Sequence, residues 1–400
     1  MPNSTQRLSI VATLPSARGE RSELPQLAAR ARAVEGLAMV DNGLAAGADL
    51  LHQAEPILLK AGDWLWVGRI QGGLGRAALD EGCYQLAYEH WVEARDQFRR
   101  AAEPHEELGW AHFHIGCAQR LMALRLACHI DANAEKRRCS PTAVPGAGGS
   151  RQRLQHLRSG AEAAFADSEE VFRSLGTPAA LDAARLERSA LWSDCGDLER
   201  ASLGAHECYV GAMRRRDAVL MGQARLLQCR IEITRCEEEV GPDLPWHAER
   251  ADEYVNEALA LALRCDAPQL VKRRLLGAIY VAQGLLFLSE FFDDADAAGE
   301  CCRSAGEYVN PAHRDELWGE YRRLCARVRS GETDARLRRW SEGLTEGKTF
   351  QQMAEEFAEL VIPAVWEREG KIVSRVVAKL AISPKKVRRI LDRVGRSKTG

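Results

Sequence analysis

The chain has 400 residues, more than one ordinary hydrophobic core holds, so at least two structural units are expected. A hydrophobic fraction of 46% with 28% charged residues excludes a disordered chain, and the lack of any eighteen-residue apolar run or secretory leader predicts a cytoplasmic protein without a membrane span. The net charge of −2 hides an asymmetry: residues 371–400 hold ten of the 55 Lys and Arg and one of the 57 Asp and Glu, so a stretch of +9 follows a body of −11.

Residues 1–22 are polar, with Pro and Gly, and read as a leader. From 23 to about 335, Ala, Leu, Arg and Glu dominate, and apolar residues recur at three and four positions, which predicts helices throughout. GRIQGGLGRAALD carries Gly72, Gly73 and Gly75, but no strand precedes it and no Gly-Lys-Ser/Thr follows, so the glycines are read as allowing close helix packing, with no nucleotide bound. In WAHFHIGC, His112 and His114 point about 200° apart on a helix and cannot share one metal, so packing or groove-lining histidines are expected. DANAEKRRCSPTAVPGAGGSRQ, residues 131–152, reads as a long exposed loop. In FFDDADAAGECC, Asp293, Asp294 and Asp296 sit at a helix start, where they complement the helix dipole. The twelve cysteines show no C-x-x-C spacing and mostly occupy apolar helical positions, where a thiol acts as a small hydrophobe. The nine tryptophans are dispersed and are mostly assigned to core or groove.

Three stretches share a turn followed by a helix with recurring small residues. Gly82 and Tyr84 precede Ala87, Trp91 and Ala94; Gly196 and Leu198 precede Ala201, Ala205 and Cys208; Glu290 and Phe292 precede Ala295, Gly299 and Cys302. Offsets of four and three put these residues on one face, so a neighbouring helix can approach closely. The pattern resembles the tetratricopeptide repeat over roughly residues 60 to 330. The resemblance implies an α-solenoid whose groove presents a face to a protein, a peptide or a small molecule, and the wide spacing of the matching turns implies diverged hairpins between them.

After a linker at 336–347, residues 348–400 form a second unit. Phe350, Met353, Phe357, Leu360, Val361 and Val365 draw one apolar stripe on a first helix, which Gly370 ends. A short second helix near Val373–Leu380 turns Val376, Val377 and Leu380 inward. Ala381 and Ile382 make a turn, Ser383 caps a third helix, and Pro384 starts it. Val387, Ile390, Leu391 and Val394 then face the core, leaving Lys385, Lys386, Arg388, Arg389 and Arg393 outside.

The segment resembles the Fis-type helix-turn-helix that ends NtrC-like bacterial activators, on Glu355-Glu356-Phe357, Gly370-Lys371 and Ala381-Ile382-Ser383-Pro384 followed by Val387, Arg389 and Leu391. The sequence departs from that family at Ala381, where Gly is usual, in a second helix one residue longer, and at Pro363, expected to kink the first helix. The resemblance implies duplex DNA as partner, with Ser383, Lys385, Lys386 and Arg389 nearest the groove and Arg388, Arg393 and Arg396 closer to phosphates. It also implies a homodimer, built through the first helix around Phe357 and Val361.

The expected architecture is therefore all-α: a tetratricopeptide-like helical-hairpin solenoid over 23–335 and a small C-terminal helix-turn-helix domain over 348–400. The expected function is a transcriptional regulator, non-enzymatic, with no cofactor, no metal and no ATPase domain. The alternative is an interaction scaffold with a basic tail.

Overall fold

The computed structural model describes residues 20–101, 105–139, 147–238, 243–310, 315–342 and 349–397. The first eight helices are α1 (Glu20–Asp41), α2 (Ala46–Lys60), α3 (Trp64–Asp80), α4 (Tyr84–Arg100), α5 (Glu106–Cys139), α6 (Ala147–Leu175), α7 (Pro178–Asp194) and α8 (Leu198–Arg215). The body continues with α9 (Ala218–Glu238), α10 (Leu244–Arg264), α11 (Gln269–Phe287), α12 (Ala295–Tyr308) and α13 (Glu316–Glu342). A three-helix unit follows: α14 (Phe350–Arg368), α15 (Val373–Leu380) and α16 (Pro384–Ser397). No strand occurs among the described residues.

One turn, used repeatedly, makes the hairpins. After α3, the Gly82 N–H donates to the Leu79 carbonyl and the Cys83 N–H to Ala78, and Gly82 takes φ +72, a conformation in which a Cβ would be strained. Gly196 does the same after α7, with Asp197 then accepting from the Arg200 N–H to cap α8. Gly43, Gly62, Gly176 and Gly370 close their helices in the same way, and Arg216 adopts the left-handed conformation without being glycine. Of these turn positions, Gly82, Gly196 and Gly370 are expected from the sequence, and Gly43, Gly62, Gly176 and Arg216 are not.

A second device joins the two helices of a hairpin. The Phe98 ring covers Gly68, and the Trp91 indole covers Gly72 and Gly75, so α4 lays its aromatics into glycine sockets on α3. In the next pair, Phe172 covers Gly109 and Phe165 covers Gly116, so α6 repeats the arrangement on α5. The glycine-rich stretch is thus a packing surface, as its helical context implied. Phe165 and Phe172 are fully buried, each contributing about 2–3 kcal/mol by burial.

The helices form two layers. Each odd-numbered helix from α1 to α11 packs on the helix that follows it and also touches the next odd-numbered helix, so the odd helices line an inner face and the even ones the outside. This is an all-α solenoid of helical hairpins. The diverged hairpins are α5–α6 and α9–α10.

Four expectations change. Helix α5 runs on to Cys139 and α6 starts at Ala147, so the two ends of the loop expected at 131–152 are helical; residues 140–146 lie outside the described residues. Of the linker expected at 336–347, residues 336–342 continue α13, which runs to Glu342; residues 343–348 lie outside the described residues, as do 1–19 of the expected leader. In α12 the buried face is Ala298, Cys301 and Ala305, not Ala295, Gly299 and Cys302, because Asp294 rather than Phe292 begins the helix. In α14 the buried side is Ala358 and Ile362 with Val365 and Trp366, while Phe357 is 45% exposed, so the stripe read through Phe357 and Val361 is rotated by one residue from the core.

Candidate nucleic-acid interface

The three-helix unit closes around one small core. Val376, Val387 and Ile390 are fully buried with Ile362, and Val377, Leu380, Ile382, Leu391 and Val394 pack against them. Ile382 therefore fills the space between α15 and α16, as expected. The turn rests on Ala381 at φ +51. Ser383 is exposed, and its hydroxyl oxygen accepts from the Lys386 N–H at 3.2 Å, capping α16. Helix α14 begins with a capping box between Thr349 and Gln352 and continues through Pro363 without a break.

On α16 the cations stand away from the Val387–Ile390 side. Lys385, Arg388, Arg389 and Arg393 are exposed and Lys386 is half-buried. The side chain of Arg396 lies outside the described residues. Two of these cations are already engaged. Arg389 pairs with Glu355, and Arg393 pairs with Glu359 at 2.7 Å and Glu355 at 3.3 Å, so the α14 carboxylates hold one flank of α16. On α15, Lys379 pairs with Glu369 at 2.6 Å, a bond that lowers the pKa of the Glu369 carboxyl. Ten cations share residues 349–397 with six carboxylates, a net +4 where residues 371–400 taken alone gave +9. The open cationic edge is Lys385, Lys386 and Arg388. Sequence periodicity placed all five cations outside; it could not show that Glu355 and Glu359 reach two of them, because that depends on how α14 crosses α16.

A second polar locus was not foreseen. On the inner face of the solenoid, the Arg120 side chain, 9% exposed, donates to Asp194 (2.6 Å), to Glu187 (2.9 Å) and to Glu316 (3.3 Å). Arg230 donates to Glu320 at 2.6 Å, Arg274 bridges Asp80 and Asp315, and Arg327 reaches Glu237 at 3.1 Å. Helix α13 is thereby tied to α5, α9 and α11, and through Arg274 to α3. Burial raises the pKa of the Asp194 and Glu320 carboxyls, opposed by Arg120 and Arg230 respectively. The available signal was charged residues inside otherwise apolar inner helices.

The remaining candidates have structural roles. His114 stacks on Trp91 with centroids 4.2 Å apart, and burial lowers its pKa to about 3. His112 lies 3.4 Å from Asp167. Asp294 caps α12 by accepting from the Ala297 N–H. Cys208 and Cys229 are buried among apolar groups, whereas Cys83, Cys128 and Cys195 are exposed. Trp246 is exposed, against the core or groove position expected of most tryptophans. Among the described residues no group of three His, Cys, Asp or Glu comes together for a metal, and no helix is long and apolar enough to cross a membrane.

No family model matches the chain, and no curated protein matches it in sequence. Among solved structures it is similar to the apo form of the quorum sensor NprR from B. thuringiensis, at 10% identity and a TM-score of 0.43, over 93% of this chain and 86% of that one. The similarity is low in sequence and partial in shape.

Proposed function

We propose that the chain is a DNA-binding transcriptional regulator, in which a Fis-type helix-turn-helix over 348–400 meets duplex DNA and the solenoid over 23–335 receives a protein, peptide or small-molecule partner. The observation that carries the reading is the two-sidedness of α16: Val387 and Ile390 are fully buried while Lys385, Lys386 and Arg388 open outward beside the capping Ser383. A helix seated this way fits the major groove with its N-terminal residues toward the bases. Ser383, Lys385 and Lys386 stand nearest the groove and Arg388 beside the phosphates. Arg389 and Arg393 reach phosphate by exchanging Glu355 and Glu359 for it, and Arg396 belongs to the same phosphate-facing set. One such unit binds weakly, so the working form is a homodimer, for which exposed Phe357 on α14 supplies apolar surface. The chain is non-enzymatic in this reading and works in the cytoplasm.

Titration of labelled duplexes at several salt concentrations tests it. Binding should be sequence-dependent and salt-sensitive, and Lys385→Glu with Lys386→Glu should remove it while the far-ultraviolet circular dichroism stays helical. The ion pairs of Arg389 and Arg393 favour a second reading, a scaffold whose basic tail is internally compensated. Equal affinity for every duplex would select that one.

A further inference from the structure

We propose that Cys302 on α12 and Cys325 on α13 are a redox-sensitive thiol pair that hydrogen peroxide closes to a disulfide, and that the bond staples α13 onto α12. The inference stands apart from the DNA-binding reading and needs no ligand in the solenoid.

The two sulfurs come from different helices and lie 3.0 Å apart. A disulfide needs about 2.05 Å, so closure asks for about 1 Å of movement, within reach of small side-chain rotations. Both thiols are half-buried, so a small oxidant can reach them. Cys301, the neighbour in sequence, is buried and donates to the Gln283 side chain of α11 at 3.7 Å, which leaves Cys302 as the thiol that meets α13. The contact is held in place by its surroundings. Cys302 and Tyr321 pack against the apolar cluster around Leu324, and the Tyr321 hydroxyl hydrogen-bonds both Cys325 and Cys302. Helix packing thus brings the thiols together before any bond forms, which raises the effective concentration of one at the other.

The chemistry balances with peroxide alone. The first sulfur, as thiolate, attacks the O–O bond and becomes a sulfenic acid, and the hydroxide released takes up the thiol's proton as water. The second sulfur displaces the sulfenic hydroxyl, which leaves with the second thiol's proton as water. Two thiols and one hydrogen peroxide give one disulfide and two waters, with two electrons passing from sulfur to oxygen. Burial and the hydrogen bond with Cys325 push the Cys302 thiol up to about 12, so little of it is thiolate at neutral pH and the pair answers sustained peroxide, not traces. A thiol reductant reverses the bond. Because α13 also packs on α14, the staple restrains the helix that leads into the three-helix unit.

The test treats the reduced full chain with hydrogen peroxide and maps its peptides under non-reducing conditions by tandem mass spectrometry. A peptide linked through Cys302 and Cys325 should appear, two hydrogens lighter than its separate parts, and vanish on adding dithiothreitol. Cys301→Ser should still form the link, and Cys302→Ser should not. Amide exchange over 316–328 should slow at least about tenfold in the oxidised wild-type chain and stay unchanged in peroxide-treated Cys302→Ser. Sulfinic acid on either residue without the link, a link from Cys325 to Cys301 or to a second chain, or unchanged exchange in the linked protein would overturn the proposal. The wild-type map and exchange need no variant, so they decide alone if Cys302→Ser loses helicity.

Discussion

Glu355 and Glu359 restrain α16 electrostatically, and if this helix meets DNA as proposed, neutralising them should strengthen DNA binding. On wild-type α16, Lys385, Lys386 and Arg388 are open, while Arg389 and Arg393 are engaged with α14. In the variant Glu355→Gln with Glu359→Gln, two more cations per unit become available to phosphate. Each phosphate neutralised adds about −0.9 to the slope of log K against log salt, so the slope should steepen by about 1.8 per unit. If the freed contacts contribute only through counterion release, the gain at 0.1 M salt is up to about 60-fold, and about tenfold if the half-exposed arginines already exchange partners. Anisotropy titrations from 50 to 300 mM salt on one duplex read slope and affinity together. An unchanged slope, or weaker binding, would refute the reasoning and show that the α14 carboxylates position the arginines instead of competing for them.

Three further outcomes follow from local geometry. Ala381→Gly relieves a left-handed non-glycine residue at the turn before α16 and should stabilise the three-helix unit by about 1 kcal/mol, read as slower hydrogen exchange in α16. Gly75→Val puts a side chain where the Trp91 indole already lies, so urea unfolding should show a loss of about 2–3 kcal/mol, whereas Gly149→Val, with nothing near its Cβ position, should change little. His114 has its pKa lowered to about 3 by burial, against 6.5 in the unfolded chain, so its neutral form supports folding above pH 6.5 and that support falls away as pH drops toward 3. His114→Phe should therefore flatten the pH dependence of Tm in that window, and an unflattened curve would mean that protonated His114 is accommodated.

How much could be read in the sequence depended on the range of the interaction. Turns closed by local hydrogen bonds, such as those at Gly82, Gly196 and Gly370, were legible because one residue type at one backbone angle makes them. The face of α16 was legible for the same reason: Val387, Ile390, Leu391 and Val394 share a helical stripe whatever they pack against. In α14 the stripe was misplaced by one residue, since Phe357 and Ala358 are both apolar and only the neighbours decide which is buried. The length of α13 was hidden because the polar composition of residues 336–342 resembles a linker, yet the helix continues to Glu342. Partners such as Glu316 for Arg120 lie nearly two hundred residues apart, and no local pattern announces them.

The most direct measurement of the central claim is selection of bound duplexes from a random-sequence pool by the full chain at about 0.1 M salt. The account predicts an enriched site with two related halves centred about one DNA turn apart, and loss of the enrichment in Lys385→Glu with Lys386→Glu. Retained duplexes with no sequence in common, or a double variant that enriches the same site, would contradict it.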